Sequence, residues 1–472
     1  MRFWLRKNTI RGVTMSKYLY GASMQGLQDF IFQTNKLKEI IGASELIKSF
    51  DEFNLQKEFN LSQEPTIILQ AAGNLRAIFS NEEDAKKVIK YLPKALMQKI
   101  YGITISQSVV KLDDYSSAIA TLEKNLKIQR NKNPLPLDFH FSFFETNPKT
   151  SLPAIKQEKQ NGINTLYDES TWQKEVAFRN AKSKDSTLSD DPSLKNNKNK
   201  IAIIHIDGNG LGKIVRKLQE NEIKDFSKKL QQATQNAYNE AYSNLKDEKS
   251  VRKVILGGDD LTLICDANLA LKFTQNFLES FEKNTKNIYK ENSLSACAGI
   301  AYCNEKFPFF YAVKLAENLC SYAKKDSKNI DESTPPSSLM FHNIQSSNVE
   351  SFQKFIGDEL IINGVSCVFG PYYLNPIANK PTIQNFLALK EDFKKENSPK
   401  GRLRDWLNSL KFDRNFANLE LKRIHKIFSK KWQSDNFTKL HKDLSLQNLI
   451  IKKDDEEKTP LYDILQILSV ED

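Results

Sequence analysis

Cysteine and histidine are both scarce in this chain of 472 residues, with five of each. Cys265, Cys297, Cys303, Cys320 and Cys367 are odd in number and never spaced Cys-x-x-Cys. That pattern excludes a disulfide framework and a zinc knuckle and leaves five buried thiols. Long apolar runs are missing too. None approaches the ~20 residues that span a bilayer, and Met1–Lys7 is too broken by charge to act as a secretion signal. No membrane partner and a cytoplasmic location are therefore expected. Residues 1–14 lack periodicity, precede a second possible start at Met15, and are given no role.

What the chain does have is length and positive charge. With 40% hydrophobic residues it can bury sizeable cores, enough for about three domains. Its net charge of +11 favours acidic partners such as nucleotides, nucleic acid or an acidic protein surface, although the lysines are spread throughout.

The most informative stretch runs from Arg252 to Cys265: two β-rich apolar runs folded back around Gly257-Gly258-Asp259-Asp260. The glycine pair suits a tight hairpin, which would hold two carboxylates at its tip. Adjacent carboxylates repel, and a divalent cation relieves the repulsion; hard oxygen donors favour Mg²⁺ or Mn²⁺. A third carboxylate, Asp207, ends the buried-strand run Ile201–Ile206, and a helix follows. Asp207, Asp259 and Asp260 together form the inventory of a palm-type site holding two metal ions for nucleotidyl transfer. Gly208, Gly210 and Gly212 make only a weak phosphate-loop signal; their expected use is to let nucleotide phosphates approach the backbone. His205 is expected to point to the opposite strand face as a satisfied core residue.

Residues 15–125 read as a degenerate copy of 199–330. A strand reading covers Tyr18–Phe32, and Ala71-Ala72-Gly73-Asn74 falls where Gly257-Gly258-Asp259-Asp260 falls. In this register Ser23 replaces Asp207, while Gly73 and Asn74 replace Asp259 and Asp260. The first copy has lost its ligands. Ser23 and Asn74 either retain nucleotide binding as hydrogen-bonding groups or the copy only packs. Residues 126–198 read as a linker or insert, poor in apolar pattern apart from a strand candidate at Leu137–Phe144 and most polar from Asn180 to Lys198.

A closing helix is expected from Phe309 through Ala323. Lys324 and Lys328 lie four apart on one face, suited either to a triphosphate or to capping the helix dipole. Residues 331–472 become mainly helical, with segments near 383–396, 401–411, 415–432 and 460–469. The helix around Leu421, Ile424, Ile427 and Phe428 has a basic opposite face, which is either simply solvated or docks RNA or an acidic partner.

Taken together, Tyr20–Phe32, Asp207–Lys213, Gly257–Asp260, Ser295–Ile300 and Ala323-Lys324 resemble the CRISPR polymerase family. These are the large polymerase/cyclase subunits of type III CRISPR effectors and their smaller relatives, distantly similar to GGDEF cyclases. The resemblance covers about residues 17–345. It implies an α+β fold with two ferredoxin-like palms, the first degenerate, plus a mainly helical C-terminal domain. It also implies ATP as substrate, two Mg²⁺ or Mn²⁺ ions on Asp207, Asp259 and Asp260, and synthesis of cyclic oligoadenylate as a second messenger in antiviral defence. Lys324 and Lys328 match the phosphate-contacting end of the closing helix, and guide RNA and other type III subunits become expected partners.

Asn209 stands where the family pattern has a second acid, which would weaken the hold on one metal. No His-Asp dipeptide occurs, so no nuclease activity of the family's HD type is expected, and the inter-palm zinc module is missing. The alternatives are a non-catalytic scaffold or nucleotide sensor, a cyclic dinucleotide synthetase, or a polymerase with linear products.

Overall fold

The computed structural model describes residues 16–71, 73–132, 143–160, 162–184, 194–218, 220–245, 250–290, 292–345, 349, 351–453 and 455–472. The N-terminal extension 1–14, Met15, Ala72, most of the strand candidate at 137–144 and part of the polar stretch 180–198 lie outside these residues. The chain divides into two units. One comprises the residues up to Phe30 with Glu45–Ala177 and Gln219–Lys224; the other comprises Ile31–Ser44, Phe178–Leu218 and Asp225–Asp472.

The first unit holds an antiparallel sheet of β1 (Lys17–Gln25), β2 (Thr66–Ala71), β3 (Asn74–Phe79) and β4 (Thr104–Leu112) in the order β2-β3-β1-β4. Helix α1 (Glu82–Lys99) starts at Asn81, whose Oδ1 accepts from the Asp84 amide at 2.8 Å, and its first turn carries three acids that suit the positive end of the helix. Helix α2 (Tyr115–Arg130) lies on β1 because Gly21 has no side chain: a Cβ there would meet Leu122 Cδ2 at 2.7 Å. The strand reading over Tyr18–Phe32 ends early. Gly26 takes φ +61 and turns the chain into the short helix Leu27–Phe32.

Residues 126–184 carry more order than their composition suggests. Helix α2 runs on to Arg130, a hairpin pairs Lys156–Gln160 with Ile163–Tyr167, and a helix spans Glu169–Lys184. Buried Asp168 starts that helix, accepting from the Thr171 amide (3.0 Å), Thr150 Oγ1 (2.8 Å) and Asn147 Nδ2 (2.7 Å). Polar residues are ordered here by hydrogen bonds, a device that apolar periodicity does not reveal.

In the second unit β5 (Lys200–Gly208), β6 (Val251–Gly257), β7 (Asp260–Asp266) and β8 (Ala296–Asn304) are joined by β9 (Ser338–Asn343) and β10 (Tyr372–Tyr373) in the order β10-β9-β8-β5-β7-β6. The run β8-β5-β7-β6 repeats β4-β1-β3-β2, so the two copies share a ferredoxin-like strand order. Ile201–Ile204 and Ile206 are buried, as expected of a strand covered on both faces.

Helices α3 (Glu220–Ser243), α4 (Ala270–Asn284) and α5 (Phe309–Ile330) accompany this sheet. Helix α5 makes the crossover between the parallel strands β8 and β9. It approaches β8 closely at Gly299, where a Cβ would lie 1.9 Å from Ala316 O and 2.5 Å from Cys320 N.

The C-terminal residues are mainly helical, in α6 (Ile383–Lys394), α7 (Lys400–Phe412), α8 (Arg414–Phe428) and α9 (Leu461–Val470). Within 331–472, β9 and β10 extend the second palm sheet, and the Asn343 amide donates to Gln466 Oε1 of α9 at 3.0 Å. In α8, Leu421 and Ile424 are buried but Ile427 is exposed, so the apolar stripe is narrower than the sequence suggests.

Candidate functional site

Strand register brings the acids together. The β5–β7 pairing runs through Ile206 opposite Leu261, so its next step sets Asp207 opposite Asp260, while Cys297 of β8 pairs with Asp207 on the other side. Asp260 pairs with Gly257, leaving Gly258 and Asp259 as a two-residue turn. Of the glycine pair only Gly258 has positive φ, +63. Thr234 Oγ1 of α3 donates to Gly258 O at 2.7 Å and pins the hairpin tip. Gly208 completes the approach, since a Cβ there would stand 2.8 Å from Asp259 Oδ2 and 2.5 Å from Leu211 Cδ1.

The electrostatics follow from this crowding. Burial, then the charges of Asp207 and Asp260, push Asp259 up to about 7, and a hydrogen bond with the Asp207 carboxyl acts in the same direction. Burial and then Asp207 push Asp260 up to about 7, against a smaller opposite pull from Lys324. Carboxylates crowded in this way favour a partner of positive charge.

Lys324 supplies one such charge. Its Nζ donates to Asp207 Oδ2 at 2.5 Å and to Gly208 O at 2.7 Å. Lys328 is exposed on the same helix, where it helps to hold the Glu332 carboxyl low after the larger effect of Lys213. The two lysines thus diverge: one reaches into the acid cluster and the other stays at the surface.

Among the described residues no group of three or more His, Cys, Asp and Glu is arranged to hold a metal ion in this conformation. The donors nevertheless fit a hard divalent cation. Three carboxylates and the Gly208 carbonyl converge, a lysine ammonium stands in as the cation, and Asp260 Oδ1 is buried with no hydrogen-bond partner.

One expectation is corrected here. Residues 205 and 207 are two apart on one strand and share a face, so His205 lies on the acid side of the sheet. It is buried and satisfied as expected, with Nδ1 3.0 Å from Thr262 Oγ1, but that nitrogen is also 3.5 Å from Asp260 Oδ1. Burial lowers its pKa, so it is held neutral.

Asn209 is buried, with Nδ2 donating to Ser295 Oγ (3.0 Å), Cys297 Sγ (3.4 Å) and Pro335 O (3.5 Å), and with Oδ1 left without a hydrogen-bond partner. Gly210, at φ +69, and Gly212 border open space, as does Gly258.

In the first palm Ser23 pairs with Asn74 in register, and Ser23 Oγ donates to Asn74 Oδ1 at 2.9 Å. Gly73, at φ +74, supplies the turn. A neutral hydrogen bond stands where the second palm places Asp207 opposite Asp260. Sequence reasoning missed Thr234, and although Ser295–Ile300 carried part of the resemblance, it did not reveal the close approach at Gly299 or the Ser295–Pro335 anchor. The partners of Asn209 lie 86 to 126 residues away, and no local pattern marks them.

A repeated ferredoxin-like unit with acids at the end of its first strand and on its hairpin defines a palm-domain protein. Residues 200–331 match the family model of the Cas10/Cmr2 second palm domain, so this stretch is similar to that domain. No curated protein matches it. Its fold is similar to a chain of the Csm1–Csm4 cassette in complex with one ATP (TM-score 0.54, 12% identity, covering 97% of this chain and 70% of that one). A similar likeness holds for the cassette in complex with cA4 (TM-score 0.53, 11% identity, 97% and 69%). Against the apo cassette the TM-score is 0.45 at 11% identity, covering 70% of this chain and 55% of the other. The chain therefore spans only part of the length of the proteins it resembles. Among the described residues no helix is long and apolar enough to cross a membrane.

Proposed function

We propose that this chain is a metal-dependent nucleotidyltransferase of type III CRISPR defence that joins ATP into cyclic oligoadenylate. The observation that carries this reading is the convergence of Asp207, Asp259 and Asp260 at the Gly208 backbone, with two of the acids pushed up to about 7. In the reaction the 3′-hydroxyl oxygen of one ATP forms a bond to the α-phosphorus of another. The bond to the pyrophosphate oxygen breaks, and the hydroxyl proton passes to water.

Asp207, Asp259 and Asp260 would hold two Mg²⁺ or Mn²⁺ ions, which, when bound, lower the hydroxyl pKa and offset the developing phosphate charge. The backbones of Gly208, Gly210, Gly212, Gly257 and Gly258 would admit triphosphate, and Lys324 and Lys328 would face it as cations. Buried His205, engaged with Thr262, has no role as a base. Ser23 and Asn74 would offer neutral hydrogen bonds to a nucleotide.

The ATP- and cA4-bound relatives support the nucleotide, and their pairing with Csm4 supports a type III subunit as partner. A guide RNA or an acidic protein would meet the outer face of α8, where Phe416, Leu419, Lys422 and Arg423 are exposed. A non-catalytic scaffold or nucleotide sensor is favoured by one observation, that the acids are not arranged to hold a metal in this conformation.

The test is incubation with each nucleoside triphosphate and Mg²⁺ or Mn²⁺, with products read by mass spectrometry. Cyclic oligoadenylate should form from ATP, and the Asp259→Ala, Asp260→Ala double variant should lower the rate on the order of a thousandfold or more. Tight ATP binding without turnover would establish the scaffold reading. A cyclic dinucleotide or a linear chain would redefine the product.

A further inference from the structure

We infer that Lys324 is a built-in exchangeable cation. Its ammonium group keeps the place on Asp207 and Gly208 that a divalent ion takes, and moves to the triphosphate when that ion enters. This rests on reading the three aspartates as a metal site. The side chain is 15% exposed, and its nitrogen is shared between a carboxylate oxygen at 2.5 Å and a carbonyl oxygen at 2.7 Å, from consecutive residues. Both are the hard oxygens that Mg²⁺ or Mn²⁺ binds. An ion using both would fall in the space the nitrogen fills, and two cations so close repel.

The backbone beneath Lys324 cannot retreat. Gly299 holds α5 against β8, Cys320 Sγ donates to Cys297 O at 3.1 Å, and Ser327 Oγ bonds Ser338 Oγ at 2.8 Å, one anchor on each side of residue 324. Only rotation of the four-carbon stem clears the site, and it carries the ammonium outward to where phosphate would lie. A single lysine also leaves three carboxylates under-neutralised, which keeps Asp259 and Asp260 ready for a stronger cation.

The test is Mn²⁺ titration of the nucleotide-free protein, with free Mn²⁺ read by electron paramagnetic resonance. Lys324→Met and Lys324→Gln should each bind Mn²⁺ about tenfold tighter than the wild type, or more. Lys325→Met removes the same charge from an exposed neighbour and should stay within about twofold, because solvent screens it. If both Lys324 variants bind no tighter than the wild type while Asp259→Asn abolishes binding, the exchange is wrong and the metal site stands. If neither the wild type nor any variant binds Mn²⁺, the metal reading falls and the exchange with it.

Discussion

At the residue scale, the acids make pH the most telling variable. Asp260 in the folded chain is pushed up to about 7, by burial first and Asp207 next, from an ordinary value of 3.8. The fold thus favours the protonated form. The stability this contributes is fully present below about 3.8 and is lost as pH rises through about 7. Asp260→Asn should therefore gain on the wild type as pH climbs across that window in metal-free urea unfolding. The gain should be about 1 kcal/mol, since the side chain stays partly open to screening water. Added Mn²⁺ should reverse the order, because it favours the charged carboxylate.

Gly208→Ala is the second test at this scale. The new Cβ, 2.8 Å from Asp259 Oδ2, should displace that carboxylate, abolish Mn²⁺ binding in the same titration and cost about 1–3 kcal/mol of stability. Asp259 and Asp260 stood out in the sequence because neighbouring carboxylates on a hairpin repel, and Asp207 at the end of a buried strand strengthened the reading. The roles of Asn209 and His205 did not stand out. One depends on Ser295 and Pro335, far away in the chain, and the other needed the two-residue strand period to be applied to an apolar run whose neighbours drew attention elsewhere.

At the element scale, the seating of α5 on β8 decides whether Lys324 reaches the acids. Gly299→Ala would drive a methyl group to 1.9 Å from Ala316 O, a backbone atom that yields only if the helix moves. A loss of about 3 kcal/mol in urea unfolding is expected. Gly357 provides the contrast. It lies within the helix Phe352–Glu359 with nothing within 4 Å of a new Cβ, so Gly357→Ala should stabilise by about 0.5–1 kcal/mol.

Helix α5 was legible from its apolar period, and so were α6, α7, α8 and α9. Strand β9 was not. Ser338–Asn343 is short, buried along its length rather than alternating, and follows Pro335-Pro336, which reads as a linker; its parallel partner β8 is known only once α5 crosses over.

At the scale of the whole molecule, one strand order occurs twice, with neutral Ser23 and Asn74 in one copy and the aspartates in the other. Duplication was visible from two matching motifs because a palm places its functional groups at fixed points, the end of one strand and the tip of one hairpin. The ordered insert at 143–184 was hidden, since its Asp168 network is polar. The excess of 69 Lys and Arg over 58 Asp and Glu leaves the chain basic, and the acid cluster runs against that balance.

The decisive measurement is anomalous diffraction at the manganese edge from crystals grown with Mn²⁺ and a non-hydrolysable ATP analogue. Two peaks are predicted at about 2.1–2.2 Å from oxygens of Asp207, Asp259 and Asp260, with the triphosphate bridging them. Analogue bound without a peak at these residues, or peaks confined to other acids, would contradict the assignment.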